Sequence, residues 1–172
     1  LGKPEILTLD LKSMEYRSTL KANFPVLEEV KSIDDLKKRT KYLLTSKGKA
    51  GDFYRKLFAG LFAYVSNRIP EISDELYKID DAIKAGFGWE LGPFETWDII
   101  GLETGLEWIK AEGKSEAKWV NEMLGSSSKT FYSSCEGKKY FYNQKSTKYE
   151  IIPGTESLVL LETLREQHLV WK

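Results

Sequence analysis

The chain has 172 residues, of which 41% are hydrophobic and 13% aromatic; that suits one globular domain with an attached extension and excludes a disordered segment. Lysine plus arginine and aspartate plus glutamate each number 26, a balance that disfavours nucleic acid as a partner, because such domains carry a basic excess. No apolar run is long enough to span a bilayer, the first residues lack a signal-peptide core, and the single cysteine, Cys135, forms no internal disulfide and fits a reducing compartment, with the cytoplasm as the default.

The chain opens on Leu1 rather than methionine and closes on a largely apolar stretch, Leu169 to Lys172, so both ends read as cut from a longer protein. Leu1 to Pro25 shows little helical period. ILTLDL (Ile6 to Leu11) has the partial alternation of a short strand, but the Lys, Ser, Asn and Pro that follow favour an extended linker wrapping the domain. Ser32 has the chemistry of a helix cap, with Asp35 three places on as a shorter capping-box acid, and Leu36, Thr40, Leu43 and Leu44 follow at helical spacing. The basic run Lys37, Lys38, Arg39 and Lys41 is the solvated face of that helix.

After a turn at Leu44 to Asp52, a helix is predicted to Ile69. Phe53, Leu57, Leu61 and Val65 form one stripe with Tyr54, Phe58 and Phe62 beside it, so broad an apolar face that the helix is expected to be covered on most sides. Pro70 breaks it. A second helix is predicted from Ser73, as cap, to Lys84, with Ile72, Leu76, Ile79 and Ile83 in line. Three short helices follow: Pro93 to Ile100, Leu102 to Ala111 and Glu116 to Leu124. The period then changes to two, and TFYSS, KKYFYN and KYEII read as a three-stranded antiparallel meander. ESLVLLETLREQ (Glu156 to Gln167) reads as a final helix. The expected organisation is a linker over 1–31, a helical domain over 32–128, and over 129–172 a meander and helix leading to a downstream domain.

The densest stretch is Gly86 to Asp98, GFGWELGPFETWD. Gly92-Pro93 reads as a helix start, with proline pre-shaped for the first helical position and Glu95 placed to complement the helix dipole. With its surroundings the stretch fits D-x-A-x-x-x-G-[FAG]-G-x-x-x-G-P-F-E-x-x-D-x-x-G at Asp80, Ala82, Gly86-Phe87-Gly88, Gly92-Pro93-Phe94-Glu95, Asp98 and Gly101. In this it resembles the C-terminal domain of 3-hydroxyacyl-CoA dehydrogenases. The phrase from Asn67 to Gly101 is similar to the second copy of that domain in enzymes fused to a crotonase-type enoyl-CoA hydratase.

The resemblance implies a mainly α fold, a helical 6-phosphogluconate-dehydrogenase-C-terminal-like domain with a small antiparallel β meander. It also implies a parent that oxidises 3-hydroxyacyl-CoA with NAD in fatty-acid β-oxidation. The family's catalytic histidine and glutamate belong to a nucleotide-binding domain that this sequence lacks. Its substrate-contacting asparagine lies in the first helical copy, in a phrase like F-I-x-N-R that Asn67-Arg68 echoes only in part, so that role is not carried over. The implied partners are the nucleotide-binding domain, the first helical copy, acyl-CoA in the parent and a crotonase-type domain, with no nucleic acid and no membrane. The fragment is expected to be inactive alone, with no catalytic, cofactor-binding or metal residue. A non-enzymatic interaction module with the same fold is the alternative.

The residues themselves agree. Asp80 and Asp81 point about 100° apart on a helix and read as surface charges, one of them capping a nearby loop. Asp98 is expected to hydrogen-bond the backbone of the glycine-rich turn. His168, the lone histidine, lacks metal-ligand partners, and Cys135 lacks a visible activating base. Gly86 and Gly88 follow a helix, whereas a dinucleotide fingerprint leaves a strand. The aromatic hairpin, with Tyr132, Tyr140, Phe141, Tyr142 and Tyr149 beside Lys138, Lys139, Lys145 and Lys148, reads as strand packing rather than a nucleic-acid platform. The family-motif or interface residues are Gly86, Phe87, Gly88, Trp89, Gly92, Pro93, Phe94, Glu95, Trp97 and Asp98. Most of their rings, with Leu91, are expected in the core, and one exposed patch would be an interface or an acyl-binding wall.

Overall fold

A computed structural model describes residues 5–20 and 23–159. The fold is mainly α with a small sheet after the helices. In order come strands β1 (Leu7–Asp10) and β2 (Glu15–Ser18), then helices α1 (Pro25–Glu29), α2 (Leu36–Thr45), α3 (Lys49–Asn67), α4 (Leu76–Phe87), α5 (Pro93–Ile100), α6 (Leu102–Ala111) and α7 (Lys118–Gly125). Strands β3 (Tyr132–Cys135), β4 (Lys138–Asn143) and β5 (Lys148–Ile151) close the described chain.

The ILTLDL alternation does pair. β1 and β2 form an antiparallel hairpin with Leu9 opposite Tyr16, and α1 follows it, so the N-terminal segment is not one continuous extended wrap. The α2 cap is Asp35, whose carboxylate accepts from the Lys38 N–H at 2.8 Å. Ser32 instead ends a single 3-10 turn, its hydroxyl donating to the Glu29 carbonyl at 2.7 Å. The shift follows from geometry: a cap must lie one residue before the helix, and Leu36 is the first helical position. Ser73 likewise falls short of α4, where its hydroxyl accepts from the Glu75 N–H at 3.2 Å in the preceding turn.

The core gathers around α5. Phe62, Phe94, Trp97, Ile109, Val120, Met123 and Phe131 are all 0% exposed. Phe62 from α3 stacks on Trp97 with centroids 4.7 Å apart, and Phe131 lies 5.0 Å from both Phe94 and Trp97. Such ring pairs add about 0.5–1.5 kcal/mol each beyond their buried area. Trp97 donates its indole N–H to the Leu102 carbonyl at 3.2 Å, and α6 comes so close that a Cβ on Gly105 would collide with the indole ring. On the other flank, buried Ser66 ties α3 to α7: its carbonyl accepts from Trp119 Nε1 at 3.0 Å and its hydroxyl from the Ala117 N–H at 3.3 Å.

α3 is less covered than its composition predicts. Ala59, Phe62, Ala63, Val65 and Ser66 face the core, but Phe53, Leu57 and Tyr64 are 61%, 48% and 59% exposed. The sequence shows two apolar arcs on this helix, and packing of the described residues buries only one.

β3, β4 and β5 form the expected meander in that order, with Tyr132 opposite Phe141 and Tyr142 opposite Tyr149. Phe141 is buried against Tyr77 of α4 at 4.8 Å, and Tyr142 is buried against Tyr149 at 6.0 Å. Residues 156–159 form a turn and coil rather than the start of a helix; the rest of that expected helix, and His168, lie outside the described residues.

Two glycine substitutions test this packing. Gly105→Ala, which drives a methyl into Trp97, is expected to cost about 1–3 kcal/mol. Gly86→Ala, where a Cβ meets nothing within 4 Å inside α4, should be neutral or stabilising by up to about 1 kcal/mol. Urea unfolding of both variants distinguishes these outcomes.

Candidate functional site

The helix that begins at Pro93 leaves first-turn N–H groups to be satisfied. Its N-cap is Gly92, which has no side chain to offer. The acceptor comes from α4: Asp80, fully buried, accepts from the Phe94 N–H at 2.9 Å and the Glu95 N–H at 3.0 Å. Gly92 must be glycine because a Cβ there would overlap the Asp80 carboxyl. Asp80 is therefore not a helix-surface charge. The exposed member of the pair is Asp81, which bridges Lys84 at 3.1 Å.

Glu95 supplies half of a capping box, accepting from the Gly92 N–H at 2.9 Å. Its carboxylate also pairs with Lys139 of β4 at 2.5 Å and Lys84 of α4 at 3.3 Å. Asp98, one turn on, does not hydrogen-bond the glycine-rich turn. It accepts from the Phe131 and Tyr132 N–H groups at 2.8 and 2.9 Å and so fixes the start of β3, because its place on α5 faces the incoming strand. The Tyr132 hydroxyl donates to Asp80 at 2.9 Å, and the Lys139 ammonium lies 4.2 Å from the Tyr132 ring centroid. Tyr132, Lys139 and Lys84 thus belong to the cluster, though the sequence pattern placed Tyr132 and Lys139 only in an aromatic hairpin and Lys84 only at a helix end. Their spacing in the chain carries no signal of it, since the contacts form only when the meander folds back.

The electrostatics follow from burial. Burial pushes Asp80 from its ordinary 3.8 up to about 7, with the Glu95 charge adding to the rise, against the pull of its N–H and tyrosine donors. Asp98 also rises to about 7, again chiefly through burial and opposed by its backbone donors. Tyr132 is pushed well above its ordinary range by burial and by Asp80 and Glu95. For Glu95, burial acts upward too, but Lys139, the Gly92 N–H and Lys84 outweigh it and hold the carboxyl below 4.5.

The glycine-rich turn divides its residues between two surroundings. Gly92, Pro93, Phe94 and Trp97 are buried, Glu95 and Asp98 partly so, and Gly86, Phe87, Gly88 and Trp89 exposed. Gly88, with φ +67°, ends α4 in the left-handed region that favours glycine. Phe87 is 74% exposed, whereas Trp89, 40% exposed, leans on Phe58 at 6.3 Å. Gly86 and Gly88 close a helix rather than leave a strand, so this turn lacks the strand–glycine–helix order of a dinucleotide fingerprint.

Two clefts lie elsewhere. One of about 410 Å³ involves Phe24, Tyr42, Lys47 and Lys49, and one of about 380 Å³ involves Arg55 and Trp108; neither is lined by a motif residue. Among the described residues no cluster of acids, histidine and cysteine could hold a metal ion. Cys135 is an exposed free thiol. Asn67 donates its side-chain amide to the Ala63 and Ser115 carbonyls at 2.8 and 3.0 Å, bracing the end of α3. No helix among the described residues is long and apolar enough to cross a membrane.

Residues 65–142 match the family model of the 3-hydroxyacyl-CoA dehydrogenase C-terminal domain. Over 161 residues, 94% of this chain, the sequence is 33% identical to a probable 3-hydroxyacyl-CoA dehydrogenase of Bacillus subtilis (strain 168), and it spans 20% of that protein's length. Over 61 residues it is 31% identical to a putative fatty acid oxidation complex trifunctional enzyme of Rickettsia felis, covering 36% of this chain and 8% of that protein. A protein of the same description from Rickettsia prowazekii is 32% identical over 57 residues, 33% of this chain and 8% of its own. No solved structure matches the chain.

Because the folded-state values of Asp80 and Asp98 lie above their ordinary 3.8, the folded chain keeps protons that the unfolded chain has already released. Their stabilising contribution is present in full below about pH 4 and is lost as the pH climbs through 7. The thermal midpoint should therefore decline over that window, and Asp98→Asn should flatten the decline. Asp80→Asn removes one charged acceptor from a helix start and is expected to cost about 1–3 kcal/mol at pH 7, measured by chemical unfolding.

Proposed function

We infer from the family to which residues 65–142 belong, the 3-hydroxyacyl-CoA dehydrogenase C-terminal domain, that this chain is the helical substrate- and dimerisation-type domain of a longer dehydrogenase. The parent oxidises 3-hydroxyacyl-CoA with NAD in fatty-acid β-oxidation and is fused to an enoyl-CoA hydratase. Within it this segment is the second helical copy, packed on the first much as one subunit packs on another in a simple dimeric dehydrogenase. NAD and the catalytic base belong to the nucleotide-binding domain, so the segment is inert alone. It works in the cytoplasm.

The observation that carries this reading is the use made of the motif acids. Asp80, Glu95 and Asp98 are engaged with backbone N–H groups, a buried tyrosine and two lysines. A general base needs a lone pair within reach of the substrate proton, and Asp80 is 0% exposed. The motif therefore builds a corner between helices and sheet, on which catalytic groups from elsewhere depend. The coverage of the Bacillus subtilis relative, 20% of its length, supports a parent with further domains.

The alternative, a free-standing interaction module, draws on the exposed apolar arc of α3. A parent gene without an upstream G-x-G-x-x-G would favour it. The direct test is oxidation of NADH with acetoacetyl-CoA. The isolated chain is expected to give no turnover above background, and a rate comparable with a full dehydrogenase would reject the reading.

A further inference from the structure

The N-terminal hairpin is patterned for a partner that the described residues do not supply. In β1–β2, residues opposite one another share a face, so Thr8, Asp10, Glu15 and Arg17 lie on one side and Leu7, Leu9, Tyr16 and Ser18 on the other. The first side is polar and satisfied from within. Arg17 Nε donates to Asp10 Oδ2 at 3.1 Å, and the Thr8 and Thr19 hydroxyls share a hydrogen bond of 2.7 Å. The second side is apolar and bare. No residue of either strand is buried; Tyr16 is 71% exposed, and Leu11 and Leu20, just beyond the strands, are 81% and 78% exposed.

Such alternation belongs to an antiparallel sheet with one face in water and the other packed. A two-stranded hairpin alone is marginal in water and needs a third strand or a helix across its apolar face. The described helices leave that face uncovered. Two strands about 4.8 Å apart carry side chains over a width of roughly 10 Å, the diameter of one helix.

We propose that β1–β2 docks this segment onto another domain of the same parent chain, its apolar face lying against a helix there. The proposal rests on the reading of the chain as one segment of a longer protein and adds the contact surface. Two observations select that occupant. The hairpin lies outside residues 65–142, which match the family model, whereas the similarity to the Bacillus subtilis protein, over 161 residues, reaches into it. The matched segment spans 20% of that relative, so most of its length lies in further domains. A domain tethered in the same chain meets the hairpin at far higher effective concentration than a free partner does.

Hydrogen–deuterium exchange over residues 5–20, measured on the isolated chain and on the full-length product of its gene, tests this. Exchange is expected to be fast in the isolated chain and slower in the parent on the order of tenfold or more. Leu11→Lys and Leu20→Lys, neither of them in a strand, should each return the parent's hairpin toward the isolated rate. Glu15→Gln on the polar face should not, and all three should leave the thermal midpoint of the isolated chain unchanged. Equal exchange in the two proteins, protection that survives both lysines, or a gene product with no further domain would overturn the proposal. So would protection already present in the isolated chain that is lost when residues 160–172 are removed, or that grows with concentration, because the occupant would then be that segment or a second copy. An unprotected hairpin in a parent that turns over NADH would sink the proposal alone, and a protected one in a parent without turnover would reject only the dehydrogenase reading.

Discussion

One carboxylate, that of Asp80, supplies what the start of α5 lacks. Gly92-Pro93 places a residue without a side chain at the N-cap and a residue without an N–H at the first helical position. The next backbone donors, on Phe94 and Glu95, point into the protein rather than into water. Both are satisfied by Asp80 from the middle of α4, which fixes how α4 and α5 meet. The same contact excludes any side chain at Gly92, and it places Phe94 and Trp97 where Phe62, Trp119 and Phe131 can surround them.

The sheet depends on that corner as well. Tyr132 donates its hydroxyl to Asp80 and its N–H to Asp98, so β3 is held by both carboxylates at a single residue. Lys139 on the neighbouring strand neutralises Glu95 and lies over the Tyr132 ring. Acids that would otherwise be left buried and unpaired thus become the attachment points of the meander. Burying an unsatisfied polar group costs about 1–3 kcal/mol, and the sheet removes that cost at Asp98 while it covers Phe131.

The order and type of the elements from α2 to β5 were legible because hydrophobic period, Pro93 and the glycine breaks act locally. What the sequence did not disclose depends on contacts distant along the chain. Asp80 looks like any helix carboxylate beside Asp81, and only the return of α5 turns it inward. Asp98 has the motif's spacing to the glycine-rich turn but bonds the strand instead. Ser32 and Ser73 have cap chemistry, yet each lies too far upstream of its helix. The outer arc of α3 is as apolar as the inner one, so the pattern alone could not tell which arc the fold would leave bare.

Buried acids, a tyrosine and a lysine within one small volume also have the appearance of an active site, and perturbed pKa values do cluster in such places. Here the hydrogen-bond inventory argues the other way. Asp80 Oδ1 holds the Phe94 N–H, and Oδ2 holds the Glu95 N–H and the Tyr132 hydroxyl. Turning that carboxylate toward a substrate would orphan two backbone donors at the start of a buried helix and release the sheet. A group so committed serves first to hold α5 and β3 in place. Among the described residues, the large apolar side chains that the core leaves exposed include Phe53, Leu57 and Tyr64 on the outer arc of α3, and Phe87 and Trp89 where α4 ends.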